Sequence, residues 1–155
     1  MESIRGFKTI LALTCGIGAA CGGGRTAPLA PVTPAATIQG FMSAVGANNL
    51  VQMGGLWGTE SGAAIRSMDA VELHKRLSVI RQYLRHDSYL IVGELGSGLL
   101  VDERHRIFQV RMIRSGCSLL IPFTLVDVGE GWLIQSIDLA AAGNPAVPCA
   151  AGTSG

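Results

Sequence analysis

The 155-residue sequence is short of the features that announce a reaction. No apolar run reaches the roughly 20 residues that a membrane-crossing helix needs, so a transmembrane span is not expected. The sequence has no GxxxxGK[ST] loop, and Gly22-Gly23-Gly24 precedes no helix, which argues against a phosphate loop. Its three histidines, His74, His86 and His105, show neither HxxxH nor HxH spacing, and no two cysteines stand as CxxC. Neither a metal site nor a cofactor is therefore expected. Aromatic residues make up only 5%, and the aromatic motifs of RNA-binding sheets are missing, as is any long basic stripe. Nucleic acid is accordingly not the expected partner. There is no internal repeat.

The sequence is more explicit at its start. Residues 1–8 carry Arg5 and Lys8 against one acid, Glu2, and residues 9–20 (TILALTCGIGAA) are uncharged. Twelve residues suit the core of a signal peptide followed by small residues at a cleavage site. Ile17-Gly18-Ala19-Ala20-Cys21 resembles the lipobox of bacterial lipoproteins, with Gly18 standing where that family favours leucine. The resemblance implies a signal peptide over 1–20 and a lipid, palmitate included, on Cys21. Two or three acyl chains anchor a small protein stably, whereas one binds only marginally. It further implies a cell-envelope location on the periplasmic side, with the outer membrane favoured because Gly22, not aspartate, follows the cysteine. Ordinary secretion is the alternative, since Gly18-x-Ala20 also suits the common signal peptidase.

Cysteine parity agrees with the lipid reading. Cys15 leaves with the signal and Cys21 is acylated, which leaves Cys117 and Cys149 as an even pair in an oxidising compartment. A disulfide between them is expected, with two free thiols as the alternative. Removing the signal leaves 10 basic and 10 acidic side chains, so the mature chain is near neutral. Residues 21–32 read as a Gly/Pro tether and 140–155 as a similar tail. Between them, 33–139 is one domain's worth of chain.

Thr33-Pro34 is a helix start: threonine offers a capping oxygen and proline suits the first helical position. Ile38, Phe41, Met42 and Val45 then mark one helical face. A shorter helix starts at Asn49, with Leu50, Met53 and Trp57 on one side and Gly54, Gly55 and Gly58 expected to bend or fray it. Residues 59–67 read as a loop. Asp69 with Glu72 is a capping-box variant, opening a helix with Leu73, Leu77, Ile80 and Leu84 inward. Strands are expected over 88–94, 106–114, 118–127 and 132–139, with turns at 96–98, 115–116 and 129–131, and 99–101 is read as a short edge strand. Pro122 signals a bulge or a locally open edge. Helices followed by strands define an α+β fold, with two to three helices on a curved antiparallel sheet of four to five strands.

The opening pattern TPAATIQGFMSAVGANNLVQMGGLWG, with IPFTLVD and GWLIQSIDL at the close, is similar to the nuclear-transport-factor-two-like superfamily. That is the cone fold shared with ketosteroid isomerase and polyketide cyclases; a cystatin-like sheet around one helix is the structural alternative. The resemblance implies an apolar pocket between sheet and helices, for which Tyr83, Tyr89, Gln109 and Arg111 are the candidate lining residues. Arg111 is a pocket cation if its sheet face is concave and a surface charge if it is not. His74, His86, Asp87 and Asp138 are the other ionisable groups considered, and none falls in an isomerase or cyclase motif. His86-Asp87 reads as a helix-terminating turn, and Trp57 and Trp132 as core anchors.

Three functions remain open at this point. The foremost is an envelope-anchored lipoprotein without catalysis, binding a protein partner or a small apolar ligand. The second is a ketosteroid-isomerase-like or cyclase-like enzyme, which requires a buried acid or base beside an oxyanion donor. The third is an accessory subunit of an envelope complex, with a homodimer through the sheet among its expectations.

Overall fold

A computed structural model describes residues 30–96 and 103–147. The helices begin where their capping residues stand. Thr33 accepts from the Ala36 amide through Oγ1 at 3.2 Å and opens α1 (Pro34–Gly46). Asn49 accepts from the Gln52 amide at 3.0 Å and opens α2 (Leu50–Leu56). Residues 58–67, expected as a loop or helix end, form a small hairpin, β1 (Gly58–Thr59) with β2 (Gly62–Ala63), followed by one turn of helix, α3 (Ala64–Ser67). Asp69 accepts from the amides of Val71 and Glu72 and opens α4 (Ala70–Tyr83). Only half of the capping box forms, because Glu72 pairs forward with Arg76 at 2.7 Å. α2 continues through Gly54 and Gly55. A Cβ on Gly54 would stand 3.2 Å from Leu73 and 3.3 Å from Leu77, so the missing side chain lets α4 pack close.

Four strands make an antiparallel meander in the order β3 (Ser88–Glu94), β4 (His105–Arg114), β5 (Cys117–Asp127) and β6 (Trp132–Ile137). Ser115 and Gly116, both at positive φ (49° and 79°), form the two-residue turn between β4 and β5. Positive φ at both turn positions matches the twist of the flanking strands. Pro122 pairs in unbroken register with Gln109 of β4. The β6 ladder covers β5 only from Phe123 onward, so the proline falls where the β5 edge opens. Its carbonyl still accepts from the Asp138 amide at 3.0 Å. Register shifts at Ile91/Gly93 and Thr124/Leu125 mark bulges, which bend strands and sharpen their twist. The expected turn at 96–98 and edge strand at 99–101 lie mainly outside the described residues.

The helices cover one face of this sheet, giving the expected α+β architecture. Ile38, Phe41, Met42 and Val45 of α1 and Leu73, Leu77, Ile80 and Leu84 from α4 and its C-cap bury against Val110, Met112, Ile121, Phe123, Leu125 and Ile134. Trp57 and Trp132 pack on the rim of this core, as anchors should. The Trp57 indole also donates to the Gln135 carbonyl at 3.2 Å, a residue of the β6 bulge. Thr37 is buried, and its hydroxyl lies 3.0 Å from the Trp132 carbonyl, joining α1 to β6. Packing continues past Leu139: Ala142 is fully buried in the same core.

Candidate functional site

Among the described residues, the space expected as a pocket between helices and sheet is filled by apolar side chains, and Thr37 is the only buried polar residue. The four candidate lining residues are not brought together. Tyr83 and Tyr89 are half-buried against the core. On β4, Val110 and Met112 point into the core, so Gln109 and Arg111 fall on the opposite face by strand alternation. Arg111 is exposed there between its cross-strand neighbours Leu90 and Leu120.

A different concavity lies at one end of the sheet. A groove of about 540 Å³ opens between the C-terminal ends of α1 and α4, the β4–β5 turn and the segment after β6. Arg81, Arg85, His86, Asp87, Arg114 and Ser115 supply its polar groups. Four of these six are held by local contacts. Arg114 ends β4, and its guanidinium donates to the Tyr83 carbonyl and the Ala142 carbonyl, both at 2.7 Å. It thereby ties α4 and the C-terminal segment to the turn. Asp87 accepts from the Ser115 amide at 2.8 Å. His86 Nδ1 lies 2.8 Å from the Leu84 carbonyl. A carbonyl only accepts, so this contact puts a proton on Nδ1. The ring also meets Tyr89 edge-on, with centroids 5.2 Å apart. His86-Asp87 is thus the helix-terminating turn the sequence suggested, and it doubles as one wall of the groove.

Arg81 lies in the last turn of α4 and Arg85 just past its C-cap, Leu84, and no carboxylate lies within ion-pair distance of either among the described residues. A signal in the sequence separates them from Arg76. Glu72 lies four residues before Arg76, whereas Leu77 and Arg81 occupy that place for Arg81 and Arg85.

The opposite end of the sheet receives the chain from its N-terminal side. The Pro31 carbonyl accepts from the Trp132 amide at 2.9 Å, and Ala30 packs on a small cluster of Ala63, Val126 and Leu133. The positive φ of Gly131 (145°) and the nearness of the Ala30 and Pro31 carbonyls leave no room for a side chain there. Trp132 pairs with Asp127 at the end of β5, while Arg114 pairs with Cys117 at its start. The eleven residues of β5, ten rises of roughly 3.3 Å or about 33 Å, therefore separate the groove from the point where the N-terminal segment leaves.

The remaining candidates serve local structure. Asp138 caps the turn after β6 by accepting from the Ala140 and Ala141 amides. His105 lies 3.8 Å from Glu60 of the β1–β2 turn, and His74 is exposed. Cys117 is buried at the start of β5. Cys21 and Cys149 lie outside the described residues. No grouping of three or more metal-ligating side chains occurs among the described residues, and none of their helices is long and apolar enough to cross a membrane. Comparison of the chain with known protein families, curated proteins and solved structures finds no match.

Proposed function

We propose that this chain is an exported bacterial lipoprotein, anchored through Cys21, whose α+β domain is a binding module that works through the groove at the far end of its sheet. The observation that carries the reading is the polarity of the molecule. The N-terminal segment leaves beside Gly131, and the arginine-lined groove sits about 33 Å away along β5. A tether at one end leaves the other free to meet a partner or ligand. The signal-like residues 1–20 and the lipobox-like residues 17–21 support the anchor, and Gly22 favours the outer membrane over the inner.

A disulfide between Cys117 and Cys149 belongs to the same proposal. The burial of Cys117 beside the β4–β5 turn and the position of the C-terminal segment, held by Arg114 next to that turn, support it. The order of helices followed by a four-stranded meander supports kinship with the nuclear-transport-factor-two-like cones. An acid–base enzyme of that kind needs a titratable group in a desolvated pocket, and the apolar filling between helices and sheet supports binding instead. A role as a homodimeric accessory subunit has one observation in its favour. Leu90 and Leu120, 60% and 42% exposed, flank Arg111 on the sheet face opposite the helices. Sedimentation of the purified chain tests that role, which predicts a dimer broken by Leu90→Lys.

Metabolic labelling with palmitate tests the anchor. The chain takes up label, Cys21→Ser abolishes it, and globomycin makes the precursor accumulate. An unlabelled wild-type chain found free in the periplasm contradicts the anchor and leaves a secreted protein.

A further inference from the structure

Resting on the groove as the binding site, we propose that its ligand carries a phosphate ester, held by Arg81 and Arg85 with Arg114 behind them. Three guanidinium groups converge on one concavity whose only acid is Asp87. The Asp87 carboxylate already accepts from the Ser115 amide. Arg114 spends both terminal nitrogens on carbonyl oxygens, so it contributes fixed charge rather than a free fork. Arg81 and Arg85 retain their forks, with no carboxylate within ion-pair distance among the described residues.

The donor set selects the ligand class. One guanidinium fork satisfies a carboxylate through two parallel hydrogen bonds. A phosphate monoester carries nearly two charges and three acceptor oxygens, which two free forks and a third positive charge match. Arginine, planar and always charged, suits this task better than lysine. The groove volume of about 540 Å³ admits a small phosphorylated molecule or a headgroup with part of its glycerol. The same chemistry is offered by a soluble phosphate monoester and by the monoester headgroup of a phosphatidic acid. The distance from the tether junction favours the soluble source.

Isothermal titration of the full chain in neutral detergent micelles tests this, with glycerol 3-phosphate, a short-chain phosphatidic acid and succinate as separate titrants. Glycerol 3-phosphate is expected to bind one-to-one and more weakly as salt rises. The double variant Arg81→Gln/Arg85→Gln weakens it at least tenfold, while Arg76→Gln, outside the groove, leaves it unchanged. Unfolding midpoints measured alongside show that each variant is folded. Binding of the phosphatidic acid alone, with the same loss in the double variant, supports the phosphate site and assigns the lipid as its source. Binding of succinate as tightly as either phosphate compound overturns the inference and keeps the groove as a binding site. Binding of none of the three overturns both. Phosphate binding that survives the double variant also overturns the inference.

Discussion

Replacing Arg114 tests how the groove is built. Its guanidinium bridges the end of α4, through the Tyr83 carbonyl, to the C-terminal segment, through the Ala142 carbonyl. Both bonds are 2.7 Å and come from a charged donor, and such bonds contribute about 1.5–3 kcal/mol each. Arg114 is half-buried, so water can replace part of each bond and the lower value applies. Arg114→Leu keeps the stem of the side chain and leaves two carbonyls unpaired. The expected loss is about 3 kcal/mol. For a domain of this size that is a fall in Tm of about 12 °C, at roughly 4 °C per kcal/mol. Arg114→Lys keeps the charge but reaches one carbonyl at a time, and should recover about half. Urea unfolding followed by the fluorescence of Trp57 and Trp132 reads both variants. A loss below about 0.5 kcal/mol for leucine, the level of an ordinary surface change, would refute the bridge. Full recovery by lysine would show that charge, and not the two-pronged geometry, holds the segment.

Three further outcomes are expected. Thr37→Val keeps the shape and removes the hydroxyl that faces the Trp132 carbonyl; urea unfolding should show a loss of about 1 kcal/mol, and an unchanged midpoint would mean that no net stability comes from the bond. Gly131→Ala places a Cβ against the Ala30 and Pro31 carbonyls at a φ that disfavours side chains; thermal unfolding should fall by more than about 1 kcal/mol, and a wild-type midpoint would deny the close approach. The denatured mature chain should take up alkylating reagent at two sulfurs only after reduction, as Cys117 and Cys149 require; uptake without reduction would contradict the disulfide.

The helix starts were legible because each is written in two or three adjacent residues. Thr33-Pro34, Asn49 and Asp69 carry a capping oxygen where the chain turns into a helix. The long strands were legible through their alternation, and the β4–β5 turn through Ser115-Gly116. The β1–β2 hairpin was not: two-residue strands have no period to read, and glycine at 58 and 62 looks like a loop. The continuity of α2 was missed for a different reason. Gly54 weakens a helix in isolation, but here its bare backbone admits Leu73 and Leu77 of α4. Tertiary packing decided against local propensity.

The groove was legible only in fragments. Its residues come from positions near 45, 81–87, 114–115 and 145–146, which only the folded meander brings together. His86 and Asp87 stand out in the sequence as adjacent polar residues at a helix end, whereas Arg81 and Arg85 form no motif there. The missing acid four residues before each was the available clue. Gln109 and Arg111 failed as pocket candidates on parity alone. The sequence shows two alternating faces on β4, each with apolar residues, and the one with Val110 and Met112 takes the helix side.

The most direct test of a binding module with its site opposite its tether is the footprint of a ligand on the folded chain. Backbone amide shifts recorded on the full chain in neutral micelles, as glycerol 3-phosphate is added, should move at residues 81–87, 114–115 and Ala146 and nowhere near the tether junction. Shifts centred on Ala30, Gly62 and Val128, or no shifts at any concentration up to tens of millimolar, would contradict the account.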